Sequence, residues 1–148
     1  MISQIKQKGF TIVELLIVIV VIAILAALSY VGYTSITARA NSSTAMASAK
    51  AVKDVAQNFN GAHGVWPTTR AHFTSGVPTG GSAADAVAKL PADITFGAVS
   101  VSTTDPKMVQ VVPHGSPVAG FTITYRDFSG TTKTMTVGDT SGTAGTAL

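Results

Sequence analysis

The chain has 148 residues, a formal net charge of +3 and no cysteine. The lack of cysteine excludes a disulfide framework, a thiolate zinc site and a cysteine nucleophile. The hydrophobic fraction of 46% is ordinary for a globular protein, but the longest apolar block lies wholly in the first quarter of the sequence. No block of like charges occurs, so the composition gives little support to nucleic-acid binding.

The sequence opens with a polar, basic segment, Met1–Gly9, which carries Lys6 and Lys8. Without it the chain has eight basic and seven acidic residues, so much of the net charge belongs to this segment. The apolar block Phe10–Leu28 follows, and its single charge is Glu14. About 20 apolar helical residues cross a bilayer core, and flanking lysines favour the cytoplasmic side. The pattern predicts a membrane span with the C-terminal part outside.

Two other interpretations explain this block less well. The apolar core of a cleaved signal peptide is about 7–15 residues long, uncharged and followed by a small-residue cleavage site, which Ala26–Ser29 matches poorly. A plain membrane anchor leaves Glu14 unexplained, because a carboxylate in hydrocarbon is costly and needs a partner or a function. The remaining alternative for Glu14 is a side chain that reaches back to the lipid headgroups.

The basic leader, the Gly9-Phe10 junction, Glu14 and the long apolar helix together resemble the type IV prepilin signature, and the similarity extends over Lys8–Asn41. The resemblance implies cleavage after Gly9, N-methylation of Phe10, and assembly through Thr11 and Glu14. If the helix starts at Phe10, Glu14 lies one turn further on. A neighbouring subunit shifted by a turn would then set its Phe10 amine against Glu14, neutralising a buried charge.

Four segments are expected: the leader 1–9, a transmembrane and filament-core helix 10–33, an amphipathic continuation 34–60, and a globular α+β domain 61–148. Asn60-Gly61 supplies the predicted stop of the helix. Small and apolar residues recur in the second part of the helix at spacings of three, four and seven, which predicts one face lying on a sheet: Ala38, Ala45, Ala49, Val52, Ala56 and Phe59.

The chain departs from the family pattern inside the helix. Many type IV pilins have a helix-breaking glycine within the apolar block and a proline at its end, where this chain has Ala23 and Val31. The helix is therefore expected to be straighter, or to have its weak point at Gly32, whose helix propensity is poor.

The fold predicted from the resemblance is the α+β type IV pilin fold, with the long helix packed on a small antiparallel sheet of about four strands. Trp66-Pro67 is predicted to cap the helix–sheet core, and Ser82–Leu90 to form a short helix with Ser82 as N-cap. Asp127–Gly130 suits a hairpin turn, and Gly138–Leu148 a surface tail. The strand candidates are 94–103, 108–112, 121–126 and 132–137.

No motif for catalysis is present: there is no nucleophile elbow, phosphate loop, H-E-x-x-H sequence or paired carboxylates. Asp139 alone is a weak calcium candidate, because Ca²⁺ takes six to eight oxygens. His63, His72 and His114 could meet only through folding. The sequence therefore predicts no enzyme, no cofactor and no metal.

The resemblance implies a structural subunit of a type IV pilus, serving adhesion, twitching motility or DNA uptake. Its partners would be other copies of the chain, the membrane, the prepilin peptidase and methyltransferase, the assembly machinery and minor pilins. The precursor would lie in the cytoplasmic membrane and the product in an extracellular pilus. The alternatives are a type II secretion pseudopilin or competence-pilus subunit, a DNA-binding receptor, and a membrane-anchored enzyme.

Overall fold

The structure is a computed structural model that describes residues 9–148, so Lys6, Lys8 and all of the predicted leader except Gly9 lie outside it. One compact unit ends at Thr37 and a second begins at Ala38. The helices and strands are α1 (Ile12–His63), α2 (Arg70–Ser75), a 3-10 turn (Ala83–Asp85), β1 (Thr95–Phe96), β2 (Met108–His114), β3 (Gly120–Asp127) and β4 (Thr131–Gly138).

The second half of α1 carries the helical side of the core. Its buried residues recur every three or four positions, so they form one stripe along the helix. Three of them are alanines, whose small side chains let the sheet approach the helix closely. The stripe consists of Ala45, Ser48, Ala49, Val52, Val55, Ala56 and Phe59.

The sheet faces this stripe with alternate residues of its three longer strands. Successive side chains of a strand point to opposite faces, and the burial of β2 and β3 alternates accordingly. The buried residues of the sheet are Val109 and Val111 on β2, Phe121, Ile123 and Tyr125 on β3, and Val137 on β4. The core therefore lies between one helix face and one sheet face, which confirms the predicted α+β class with four strands.

The sheet is mixed, and the predicted wholly antiparallel arrangement is wrong at one edge. The strand order is β1-β2-β3-β4. β2, β3 and β4 pair antiparallel, but β1 runs parallel to β2, with Thr95 opposite Met108. The chain returns from β1 to β2 through a loop and not through a hairpin, so the two strands keep the same direction.

The hairpin predicted at Asp127–Gly130 is confirmed, and it is tied to α1. The Gly130 N–H donates to the Asp127 carbonyl at 3.1 Å. Ser42 of α1 donates its hydroxyl hydrogen to Asp127 Oδ1 at 3.0 Å and accepts the Phe128 N–H at 3.0 Å. This small polar cluster joins the helix to the β3–β4 turn.

Trp66 and Pro67 close one end of the core, as predicted. Pro67 is buried, and the Trp66 ring meets Phe121 edge to face with centroids 5.8 Å apart. Gly138 leaves room for this ring, because a Cβ there would lie 2.7 Å from Trp66 and the backbone φ is +70°.

The helix predicted over Ser82–Leu90 is wrong beyond its first turn. Ser82 is an N-cap, as predicted, and forms a capping box with Asp85. The helix stops at Asp85 because later N–H groups bond elsewhere: Val87 to the Gly76 carbonyl at 3.0 Å and Leu90 to the Phe73 carbonyl at 2.9 Å. Both acceptors lie in or directly after α2, a helix that the sequence did not predict.

The strand predicted over 94–103 is also too long, since β1 ends at Phe96. Serine and threonine side chains take over the backbone hydrogen bonds beyond it, which is how these residues compete with a sheet ladder. The Thr103 hydroxyl accepts the Ser100 N–H at 2.9 Å, and the Ser100 hydroxyl accepts the Ser102 N–H at 3.3 Å.

The C-terminal tail has no regular strand, as predicted, but it is bonded to the sheet. Gly145 N–H donates to the Pro113 carbonyl at 2.8 Å, and Leu148 N–H to the Val111 carbonyl at 2.9 Å. The tail therefore lies along the edge of β2 that the short β1 leaves uncovered.

Candidate functional site at the N-terminal segment

The Gly9-Phe10 junction is exposed and lies outside any helix. Residues 9–11 have no regular secondary structure, and 90% of the Phe10 surface is accessible. Among the described residues, no atom other than those of Gly9 and its chain neighbour lies within 4 Å of the position a Cβ would take at Gly9. An exposed, non-helical peptide bond is what a peptidase needs at its cleavage site, because hydrogen bonds within a helix would first have to be broken.

Thr11 and Glu14 form a reciprocal capping box at the start of α1. The Thr11 N–H and hydroxyl both donate to Glu14 Oε2, at 2.8 and 2.7 Å, and the Glu14 N–H donates back to the Thr11 hydroxyl at 3.2 Å. This arrangement supplies partners for N–H groups that the first turn of a helix leaves without them. Glu14 Oε1 accepts no hydrogen bond from residues 9–148 and remains available.

The capping box corrects the predicted start of the helix. The predicted helix starts at Phe10, one turn before Glu14, but α1 begins at Ile12 and Phe10 precedes it. The sequence contains the signal for this helix start, because Thr11-x-x-Glu14 directly before an apolar run is a capping-box pattern. Thr11 was expected to take part in assembly, and the structure gives it a local contact with Glu14.

The first unit presents an apolar surface with no cover from the protein's own core. Every residue from Thr11 to Ile36 is exposed, and none of the most apolar stretch of α1 is buried. Among the described residues, α1 is the one helix long and apolar enough to cross a membrane. The helix continues without a break through Ala23, Val31 and Gly32. The secondary structure therefore shows no interruption where many type IV pilins have a glycine and a proline, and the choice between a straighter helix and a weak point at Gly32 stays a prediction.

The hydroxyl groups in this stretch bond to the helix itself. Ser29 donates to the Leu25 carbonyl at 2.7 Å, and Thr34 donates to the Val31 carbonyl at 3.0 Å. Thr37 donates to the Tyr33 carbonyl at 3.0 Å. Because the hydroxyl donors of Ser29, Thr34 and Thr37 find partners within their own helix, these three residues are compatible with a hydrocarbon environment.

The other sequence candidates do not converge on one site. His63 and His72 both contact Phe59, at centroid distances of 4.6 and 5.3 Å, whereas His114 bonds to Thr122 at 2.8 Å. Asp139 Oδ1 accepts the Ser141 N–H at 2.9 Å. No group of three or more histidine and acidic side chains within residues 9–148 could hold a metal ion.

The comparisons with known proteins support this segment alone. Residues 5–30 match the family model of the prokaryotic N-terminal methylation motif, which confirms the predicted prepilin signal. The match spans the Gly9-Phe10 junction, Glu14 and most of the apolar block. Together with the α+β fold it supports a type IV pilin-like or pseudopilin-like protein with a membrane-anchored precursor. No curated protein and no solved structure gives a significant match to this chain.

Proposed function

We propose that this chain is the precursor of a type IV pilus subunit that polymerises through its N-terminal helix. Prepilin peptidase cuts after Gly9 on the cytoplasmic side, and the new N-terminus at Phe10 is methylated. The subunit is held in the membrane by the apolar part of α1 until the assembly machinery extracts it into a helical filament. The second unit then forms the outer surface of an extracellular pilus.

One observation carries this proposal: the apolar surface of α1 is exposed as far as Ile36, and most of this stretch lies within the matched methylation motif. A surface of this size needs an apolar environment. A bilayer supplies it for the precursor, and the helices of neighbouring copies supply it in a filament. Leaving lipid for a helix bundle keeps the apolar surface covered, so specific contacts have to direct the assembly.

Glu14 is the residue to supply that specificity. Its Oε2 is occupied by Thr11, whereas Oε1 is available for a donor from another copy. In the filament the Phe10 amine of a neighbour binds Glu14, so that two charges which are costly in an apolar environment compensate each other. The capping box holds the Glu14 side chain in one place before the partner arrives.

The first experiment is to shear filaments from the surface of cells that make the protein and to measure the intact mass and N-terminus of this chain. The expected product begins with N-methyl-Phe10 and lacks Met1–Gly9. A product that starts at Met1, or one cut near Ser29, would refute the proposal. The matched control is Gly9→Ser, which changes only the residue before the cleaved bond and is expected to leave the leader attached.

The location of the mature chain separates a pilus subunit from a pseudopilin. Both carry the same N-terminal motif, so cleavage and methylation alone do not distinguish them. A chain that is abundant in the sheared filaments is the main subunit. A chain that is methylated but stays with the envelope fraction is pseudopilin-like, and the surface functions of adhesion, twitching motility and DNA uptake would then not apply.

A further inference from the structure

His72 joins the two chain segments on either side of α2. Its Nδ1 lies 3.0 Å from the Thr68 N–H, before the helix, and its Nε2 lies 2.9 Å from the Thr79 hydroxyl, after the helix. The ring is stacked on Phe59 of α1 at a centroid distance of 5.3 Å. Only 7% of the residue is exposed. The side chains of Phe59, His72 and Thr79 line a cleft of about 490 Å³, together with those of Trp66 and Pro117.

The Thr68 contact fixes the protonation state of the ring. A backbone N–H can only donate, so His72 Nδ1 must be the unprotonated acceptor. The single ring hydrogen of the neutral form is therefore on Nε2, which donates it to the Thr79 hydroxyl. A second proton on Nδ1 would point at the Thr68 N–H and replace an attraction by a repulsion between two donors. The Thr79 contact would survive, so protonation breaks one side of the link only.

Among residues 9–148, no charged side chain is placed to hold a protonated His72. On α1, the ring of His63 contacts the ring of Phe59 at a centroid distance of 4.6 Å. Asp85 interacts with His63 over a distance, but its carboxylate is bound by Ser82. Arg70 on α2 donates to the Phe96 carbonyl at 3.0 Å. The turn Pro117–Ala119 contributes no titratable group.

We propose that His72 is an acid-sensitive latch: protonation at Nδ1 releases the Thr68 N–H and frees the segment Gly64–Thr69, which opens one wall of the cleft. The released segment includes Trp66, whose ring covers the end of the core at Phe121. This device belongs to the second unit and does not depend on filament assembly.

The burial of His72 favours its neutral ring, which is the form that keeps the latch closed. It lowers the pKa of His72 below its usual value of 6.5, because the charged ring loses water and gains no partner. The closed latch is therefore at full strength above pH 6.5, weakens as the pH falls below 6.5, and loses no more once the pH is below the pKa of the closed form. The opening equilibrium rises by up to about tenfold per pH unit within that window, the limit for one proton.

The test uses the full chain in detergent micelles, where Trp66 is the sole tryptophan and reports on the segment directly. We expect its emission to change between pH 7.5 and 5 in a single-proton transition. Hydrogen exchange of the Thr68 amide, corrected for its intrinsic pH dependence, is expected to speed up over the same range. An unchanged Thr68 exchange rate together with a flat Trp66 emission would overturn the proposal without any variant.

His72→Asn is the matched variant, because its side-chain oxygen can accept from Thr68 in place of Nδ1 but cannot be protonated in this range. It is expected to keep Trp66 emission constant with pH. His63→Asn and His114→Asn make the same chemical change elsewhere and are expected to retain the transition. A transition that persists in His72→Asn, or disappears in either control, would assign the effect to another group. If His72→Asn does not fold, the ¹⁵N chemical shifts of the His72 ring in the wild-type chain test the proposal instead. Nδ1 is expected to gain its proton over the same pH range in which the Trp66 emission changes, and protonation over a different range would overturn the proposal.

Discussion

The two halves of α1 belong to one continuous helix but bury their side chains in different ways. From Thr11 to Ile36 every residue is exposed, including leucines and isoleucines on all sides. From Ala45 to Phe59 the buried residues form a single stripe against the sheet, and charged residues such as Lys50 and Asp54 lie outside that stripe.

This difference shows that the same secondary structure serves two environments. The second half carries its own apolar partner in the form of the sheet, so its pattern is amphipathic and its stability is intramolecular. The first half has no such partner within residues 9–148, and under the proposed function lipid or other copies of the chain would cover it. Changes in the first half should therefore affect assembly, and changes in the second half should affect folding.

The largest effect is expected at Glu14, where Glu14→Ala tests the intermolecular side of this comparison. Removing one member of a buried ion pair costs about 3–5 kcal/mol, because the remaining charge loses its partner in an apolar environment. This corresponds to roughly a hundredfold or larger loss in the stability of each subunit contact. The yield of sheared filaments, measured against the amount of subunit in the membrane, is expected to fall accordingly.

Asp54→Ala is the control for Glu14→Ala, because it removes an exposed carboxylate from the second half of the same helix. It is expected to leave filament yield near the wild-type level. Normal filament yield from Glu14→Ala would remove Glu14 from the assembly contact, whatever the remaining apolar surface does.

Phe59→Ala tests the intramolecular half and is expected to have the next largest effect. Phe59 is fully buried and stacks on His72, so its truncation leaves a cavity in the core. Such substitutions cost about 3–5 kcal/mol of folding free energy. Denaturant unfolding of the full chain in detergent, followed by Trp66 fluorescence, is expected to show this loss.

Two further alanine substitutions serve as controls for Phe59→Ala. Met46 lies in the same half of the helix as Phe59, but 55% of it is exposed, so Met46→Ala is expected to lower the folding free energy only slightly. Leu16→Ala lies in the first half and is expected to leave the Trp66 transition unchanged. If Leu16→Ala destabilised the second unit as much as Phe59→Ala, the two halves would not be independent in folding.

The sequence predicted the features that rest on long, regular patterns. The apolar block, the stripe on α1 and the three long strands all have clear periodicities, and each is found within a few residues of its expected place. Its failures fall where long-range hydrogen bonds decide the local structure. Val87 and Leu90 bond to the end of α2, which ends the predicted helix after one turn, and no local signal shows where those carbonyls lie.

At the candidate site the sequence located the residues but not their geometry. Gly9, Phe10, Thr11 and Glu14 were identified from the resemblance, and the family match covers them. The predicted helix starts two residues before α1, because the apolar run begins at Phe10 whereas the capping box of Thr11 and Glu14 sets the observed start. The roles of these four residues in processing and assembly stay predictions, as does the division of the chain into leader, filament-core and globular segments.

The smallest expected effect concerns the polar link between the second half of α1 and the β3–β4 turn. The pKa of Asp127 is lowered by hydrogen bonds from Ser129, its backbone N–H first, and from the Ser42 hydroxyl, with Lys133 adding attraction. The carboxylate therefore stabilises the fold fully above its unfolded pKa of 3.8, and this contribution is lost as the pH falls from 3.8 through the lower folded value. This loss begins at pH 3.8, whereas the one proposed for His72 begins at pH 6.5, so the two start at different points of one titration.

Asp127→Asn is expected to lower the unfolding midpoint of the full chain at pH 7, and the difference from wild type is expected to shrink as the pH approaches 3. The amide can still accept from Ser42 and Ser129 but has no charge to lose, so its stability is insensitive to this titration. Asp54→Asn removes an exposed carboxylate that makes no hydrogen bond or ion pair among the described residues, and it is expected to keep the wild-type unfolding midpoint at pH 7. If the difference in unfolding midpoint between Asp127→Asn and wild type stayed constant from pH 7 to 3, the charge of the Asp127 carboxylate would not contribute to the stability of its contact with Ser42.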